Sequence, residues 1–262
     1  MNMDVVIVAW NALPYAVHTV MHLMCFTPAK LRFIFVDNGS DHSLEAAFRP
    51  WLGKDHVYIR NEENKGVYTG INQGLREIET DIAMWCSTDH LVLPHWFPPI
   101  HYGLTTGGFG WLSPWYPPDG PYSITETYEA LAAPPPEKYE VLPIFESSLG
   151  VFDWKRLKAE VGYFDESYFY VYGDGDYKER MKDANIPFGV ILESKSRHLG
   201  HQSRRLLDPA ADVKMERDDA GVFKQKWKDR PDVLKDYPGL DHTPEEIAKL
   251  HNFFYERSDP RQ

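Results

Sequence analysis

Residues 4–95 alternate two hydrophobic patterns. DVVIVAW (4–10) is a continuous apolar run of strand length, rich in β-branched residues, and it predicts a strand buried on both faces. Asn11 and Pro14 break the run, and YAVHTVMHLMCF (15–26) then repeats apolar residues at helical spacing. LRFIFVDNGS (31–40), HVYIRNEENKG (56–66) and DIAMWCSTDH (81–90) predict three more strands that run into polar turns or loops. SLEAAFRPWL (43–52) and VYTGINQGLREIE (67–79) predict the helices between them. Such alternation predicts an α/β fold: right-handed βαβ units in a Rossmann-like, mostly parallel sheet flanked by helices. Sheets of this kind bind ligands beyond the carboxyl ends of their strands, and Asn11, Asp37, Asn38, Asn64 and Asp89 fall there.

The pattern breaks over residues 98–145. FPPI, TTGGFG, SPWYPPDGPY and AAPPP form a Pro/Gly/aromatic stretch too irregular for further βαβ units, so it is either a functional loop region or a linker. Trp111, Trp115, Tyr116 and Tyr122 within it favour an ordered, ligand-facing surface. From residue 146 regular patterning returns. GDYKERMKDAN predicts a helix with acidic residues near its start, and IPFGVILES predicts a strand. The charged tail is mostly helical, and PEEIAKLHNFFYER (244–257) carries a good helix start in Thr243 and Pro244.

Composition narrows the function. A chain of 262 residues with 8 Trp, 15 Tyr and 14 Phe can bury a sizeable core. A net charge of −11 argues against a generic nucleic-acid binder, which carries a positive footprint. Cys25 and Cys86 sit in apolar runs without metal-type or redox spacing, and they read as buried, reduced thiols of a cytoplasmic protein. No apolar run reaches the roughly 18–20 residues of a membrane span, and the start lacks the basic region of a secretory signal. WCSTDHLVLPHW (85–96) poses the chemical question, because it holds a single carboxylate, Asp89, in an apolar run. Either the strand ends there in a polar turn, or the carboxylate is held at the sheet's end as a metal ligand.

Several stretches together resemble the family 2 glycosyltransferases of the GT-A fold. VVIVAWN with LPY resembles that family's first strand and turn, and FVDNGSDHS its second strand with a base-contacting aspartate. NEENKGVYTGINQGL resembles its Asn-x-Gly…Asn-x-Gly segment, and STDHLVLPHW its metal-binding strand end ahead of a Pro-x-Trp. VGYFDESYFYVYGDGDYKERMKDANI resembles the Gly-x-Phe-Asp-Glu segment and the acidic helix start that carries the catalytic base. RHLGHQS is similar to the late histidine stretch, and FKQKW (223–227) to the end of the catalytic domain. Each piece alone is weak, but seven in the right order are specific. Two positions depart from the pattern: Ser87 stands where the metal motif usually opens with Asp or Asn, and Gly173 stands where Glu often precedes the catalytic Asp.

The resemblance implies a GT-A domain over 1–228: a nucleotide-binding half (1–97), the acceptor-side segment 98–145 and a catalytic half (146–228). A C-terminal helical extension follows over 229–262. It implies inverting, metal-dependent transfer of a sugar from a nucleoside-diphosphate sugar to an acceptor hydroxyl. Asp174 would be the general base, with Asp89 and His198 holding a divalent cation. Imidazole among the ligands favours Mn²⁺ over Mg²⁺. Ala9, Trp10, Asn11, Asp37, Asn64, Gly66 and Thr88 fall at nucleotide-sugar positions. Asp37 would accept the imide N–H of uracil or thymine, which favours UDP or dTDP. Trp10 is equally a base-stacking or a core residue, and Asn72 supports its loop. His90 is expected to point away from Asp89, since strand neighbours alternate, and His201 reads as structural. Trp115 and Asp176 are the acceptor-side candidates; Asp174 and Asp176 would also serve as helix-start acids. The acceptor stays open among a glycan, a lipid-linked sugar, a protein and a modified nucleobase. Two rival readings remain. One is a non-catalytic relative that binds a sugar nucleotide or glycan, which Ser87 favours. The other is a sugar nucleotidyltransferase, against which AWNALPY lacks a Gly-rich phosphate loop.

Overall fold

The computed structural model describes residues 1–49, 54–116, 124–200 and 204–257. Tyr122 and His201 lie outside the described residues. Strands β1 (Asn2–Ala9), β2 (Lys30–Asp37), β3 (Val57–Arg60) and β4 (Ile82–Ser87) form a parallel sheet in the order β3-β2-β1-β4. Helices α1 (Leu13–Phe26), α2 (Glu45–Phe48) and α3 (Val67–Arg76) lie between them in the chain. Alternation along β1 divides the core. Val5 and Ile7 pack in one layer with Ala16, Val20 and Leu23 of α1, whereas Val6 packs in the other with Ile71 and Leu75 of α3. The strand order reverses at β1, so a crevice opens at the carboxyl ends of β1 and β4.

The rest of the chain extends the sheet in mixed fashion. It comprises β5 (His90–Val92), α4 (Phe97–Thr105), β6 (Trp111–Trp115), α5 (Ile124–Ala132), β7 (Val141–Leu142), β8 (Leu149–Asp153), α6 (Trp154–Glu160), α7 (Gly173–Asp183) and β9 (Phe188–His198). Parallel pairing thus holds for the first half of the sheet. Beyond β4, β8 runs antiparallel to β4 and β6, β9 lies parallel to β6, and β5 and β7 pair antiparallel with β9. The direction of β8 matters for function. Leu149 pairs with Cys86, so Ser147 and Ser148, just ahead of β8, arrive beside the carboxyl end of β4.

Residues 98–145 are more regular than their composition suggests, since α4, β6, α5 and β7 fall largely within them. Pro98 and Pro99 sit in the first turn of α4, where a missing N–H breaks no helical bond. Trp111 is a core residue, 1% exposed, and not part of a ligand-facing surface. Its Nε1 donates to Ser113 Oγ (3.1 Å) and to the Glu146 carbonyl (3.0 Å). Cys25, expected to be buried, is exposed on α1, while Cys86 is buried in β4.

The tail consists of α8 (Pro209–Lys226), α9 (Pro231–Leu234) and α10 (Pro244–Arg257), with α10 packed on α8. Among the described residues no helix is long and apolar enough to cross a membrane. One residue of α8 organises the loop ahead of α7. Asp219, 2% exposed, accepts the backbone N–H groups of Phe169, Tyr170 and Val171 at 2.8, 2.7 and 2.8 Å. Burial raises its carboxyl above the usual range, and the three N–H groups work against that rise. Asp219→Ala leaves those donors without their acceptor and is expected to cost about 3–5 kcal/mol. Amide exchange at 169–171 should rise with it. Urea unfolding and hydrogen exchange measure both, and Asp219→Asn, which still accepts, should cost less.

Candidate active site

A cavity of about 310 Å³ occupies the crevice. The ends of β1 and β4 contribute Trp10, Ser87, Thr88 and Asp89; the start of α3 adds Tyr68; the turn before β8 adds Ser147 and Ser148. The loop held by Asp219 closes another side with Phe169, Tyr170 and Val171, and Asp174 and His198 complete the polar lining.

At the β4 end Asp89 is 7% exposed. Ser87 Oγ donates to its Oδ1 (2.6 Å), and its Oδ2 lies 3.4 Å from His198 Nε2. Burial works against the charge of Asp89, but His198 opposite it and the Ser87 hydroxyl hold its carboxyl well below the usual range. Burial likewise opposes the His198 cation, and the Asp89 carboxylate outweighs it, so the imidazole is raised. The donor set fits a divalent cation. Two ligands each about 2.1 Å from an ion stand about 3 Å apart at right angles, close to the spacing seen. The described residues hold no group of three or more His, Cys, Asp or Glu able to bind a metal. Phosphate and water oxygens would therefore supply the remaining ligands.

His90 does not point away from Asp89. Its ring lies flat on His198, with centroids 4.3 Å apart and planes 7° apart. Its Nε2 is 2.7 Å from Ser148 Oγ, and that hydroxyl donates to the Glu146 carboxylate. The Ser148 proton is thereby committed, so His90 Nε2 carries its own. Burial keeps this ring neutral, far below the usual histidine range. Tyr116 donates to the other Glu146 oxygen (2.7 Å) and sets its ring edge against both imidazoles.

Asp174 opens α7 from a strained position. Tyr172, its N-cap, has φ +63°, a left-handed conformation uncommon for an aromatic residue. The Asp174 N–H donates to Tyr68 Oη (3.1 Å), and Ser147 Oγ donates to its Oδ2 (2.9 Å). Gly173 explains the missing acidic partner: a Cβ there would lie 2.5 Å from the Tyr68 ring. Tyr68 has taken the space that a side chain at 173 would need.

Buried amides close the remaining wall. Asn38, 2% exposed, donates to Asn64 Oδ1 and to the Gly66 carbonyl (both 3.0 Å). It accepts from Asn61 Nδ2 (2.8 Å) and the Lys65 N–H (3.2 Å). Gly66 has φ +87°, and a Cβ on it would stand 2.7 Å from the Phe169 carbonyl, so only glycine fits. Asn72 ties α3 to the loop between α6 and α7 through the backbone of Phe164 and the Glu166 carboxylate.

The cavity thus gathers Trp10, Asn64, Thr88, Asp89, Asp174 and His198 from the expected site. The other candidates stand apart from its lining. Ala9 is buried, and Asn11 ties the β1 and β2 turns by accepting from the Asp41 N–H and donating to Ser40. Asp37 already accepts from Tyr58, Arg60, Ser40 and Leu44. Asp176 is fully buried and faces the core, held by Arg180 Nε (2.9 Å) and Trp227 Nε1 (3.1 Å). The ring of Trp115 lies under Lys195 Nζ at 4.3 Å. Tyr68, Glu146 and Ser147 went unrecognised in the sequence, whereas Asn38 was placed at its strand end. The polar triplet of residues 146–148, set between Phe145 and Leu149, was the one local signal for two of them.

Gly173→Ala is expected to destabilise by about 1–3 kcal/mol through the clash with Tyr68. In a double-mutant cycle with Tyr68→Ala, the paired variant should lose less than the sum, with a coupling of at least about 1 kcal/mol. Strictly additive losses would show that Gly173 does not make room for Tyr68.

The family model for glycosyl transferase family 2 matches residues 4–117. No curated protein sequence matches the chain. Three solved structures are similar to it. TarS 1-349 of S. aureus in complex with UDP has a TM-score of 0.57 at 15% identity, covering 86% of this chain and 66% of that one. The mannosyltransferase PcManGT from Pyrobaculum calidifontis, in complex with GDP-Man and Mn²⁺, has a TM-score of 0.61 at 17% identity, covering 95% and 70%. GalNAc-T7 with UDP, GalNAc and Mn²⁺ has a TM-score of 0.59 at 14% identity, covering 76% and 44%. The chain therefore spans just under two thirds of TarS 1-349 and under half of GalNAc-T7. Residues 4–117 thus match the family 2 glycosyltransferase model, and the fold that the chain shares with these structures is the GT-A fold.

Proposed function

We propose that the protein is an inverting, metal-dependent glycosyltransferase that moves a sugar from a nucleoside-diphosphate sugar, UDP or dTDP favoured, to an acceptor hydroxyl. The observation that carries this reading is that one cavity is lined both by a carboxylate–imidazole pair, Asp89 and His198, and by Asp174. A divalent cation held by Asp89 and His198, Mn²⁺ before Mg²⁺, would stabilise the charge developing on the leaving diphosphate. Two of the similar structures hold Mn²⁺, which supports the choice. Ser87 keeps one oxygen of Asp89 engaged and leaves the other toward His198. Asp174 takes the proton of the acceptor hydroxyl as that oxygen bonds to the anomeric carbon. The bond from this carbon to the diphosphate breaks, and the leaving group departs with the electron pair. One displacement inverts the anomeric centre. Tyr68 and Ser147 orient the Asp174 carboxylate. A base that reaches Asp37 has to replace one of its four donors, and Arg60, whose side chain is 38% exposed, is the one at the surface.

UDP or dTDP should raise the melting temperature only when Mn²⁺ is present, and Asp89→Asn should abolish the cation-dependent part. An equal shift in chelator and in Mn²⁺ would remove the metal from this reading.

Asp174→Asn keeps the shape of the side chain but cannot take a proton at neutral pH. Transfer should fall about 10²–10⁴-fold, while nucleotide affinity stays close to that of the unmodified protein. NMR of the fresh product should show the anomeric configuration opposite to the donor's; a retained configuration would contradict single displacement.

A further inference from the structure

Asp174 stands between two cavities. The second, of about 410 Å³, shares Tyr68, Tyr170, Val171, Asp174 and Arg204 with the first. Its other walls come from the C-terminal half: Tyr172, Glu216 of α8, Tyr237, and Leu250 and His251 of α10. All of these lie outside the stretch that the family model matches. We infer that this second cavity is the acceptor subsite, closed by the C-terminal helices, and that its occupant is a neutral saccharide. The inference rests on the transferase reading above and deepens it.

The chemistry of the walls selects the occupant. Tyr170, Tyr172 and Tyr237 are half-buried and line the cavity with aromatic surface. A pyranose offers apolar C–H faces to such rings and a rim of hydroxyls to polar groups between them. Glu216 is an acceptor for those hydroxyls. Burial, with the Glu216 carboxylate next, pushes the Tyr172 phenol up to about 12, so its hydroxyl remains a neutral donor. Charge decides against an anionic acceptor. Arg204 is the one Lys or Arg among the described lining residues, and it is matched by two carboxylates, Asp212 (2.7 Å) and Glu216 (2.7 Å). His251 Nε2 lies 2.9 Å from Glu216. With Asp174 added, carboxylates outnumber that cation, and a phosphate entering here meets repulsion. The saccharide hydroxyl nearest Asp174 passes its proton to that carboxylate while its oxygen takes the anomeric carbon from the diphosphate. The diphosphate leaves with the bonding pair. The subsite thus lies between the start of α7 and the tail helices, and Trp115 is not among its described lining residues.

Leu250 gives a clean test, because it is 41% exposed and lines this cavity but not the donor cavity. Saturation-transfer NMR would use the full chain with UDP or dTDP and Mg²⁺, since Mn²⁺ broadens lines. The probes are methyl glycosides of glucose, galactose, mannose and N-acetylglucosamine, with glucose 6-phosphate as the anionic counterpart. At least one neutral glycoside should receive saturation. Its signal should fall at least about fivefold in Leu250→Trp, which narrows the cavity, and in Glu216→Gln, while nucleotide affinity by calorimetry stays within about twofold. Saturation of glucose 6-phosphate alone, of no sugar at all, or unchanged in both variants would overturn the proposal while nucleotide binding still supported the transferase. Failure of the unmodified protein to bind either nucleotide with either cation would instead overturn the transferase reading, and this inference with it.

Discussion

Three successive backbone N–H groups, at residues 169–171, have no strand or helix to receive them, and one carboxylate, Asp219, receives all three. Buried donors without acceptors are strongly disfavoured, so the loop takes the path that α8 dictates. The consequences run forward through the site. With Phe169 fixed, its carbonyl accepts the Val67 N–H at 2.7 Å and bears on Gly66. The start of α3 is thereby set, and Tyr68 on its first turn meets the backbone and carboxylate of Asp174. A residue of the tail thus positions the group on which the proposed proton transfer depends.

The first four strands and the helices between them were legible because hydrophobic period is a local property, and local properties survive in sequence. Trp10, Asn64, Thr88 and Asp89 could be placed because strand ends in such a sheet share one edge. Local rules break down where a turn interrupts a strand and where neighbours on a helix face different ways. Strand alternation put His90 opposite Asp89, but Asp89 stands in a turn and His90 begins a new strand paired with His198. Asp176 looked like a neighbour of Asp174, yet two helical residues differ by about 200° around the axis, which turns it to Arg180 and Trp227. Tyr68, Glu146 and Ser147 come to the site from distant parts of the chain, and no short pattern announces them.

Both departures from the family pattern have a physical account in the neighbours. Ser87 cannot supply a second carboxylate, but its hydroxyl fixes one oxygen of Asp89 and leaves the other toward His198. Gly173 cannot supply an acid either, and the Tyr68 ring occupies the vacated space and bonds the next residue. In each case a smaller side chain is matched by a hydrogen bond to the carboxylate that remains.

The amide network around Asn38 bears on how the protein ages. Asn38 precedes Gly39, and asparagine before glycine is the pairing most prone to cyclise and deamidate, because the following peptide nitrogen can reach the side-chain carbon unhindered. Here the Asn38 amide is held by Asn61, Asn64, Lys65 and Gly66 and is almost wholly shielded from water. The four bonds that shape the cavity wall also hold that carbon away from attack. Exposure to such damage at this position is therefore greatest in the unfolded chain, and a carboxylate at residue 38 would lose the two bonds donated to Asn64 and Gly66.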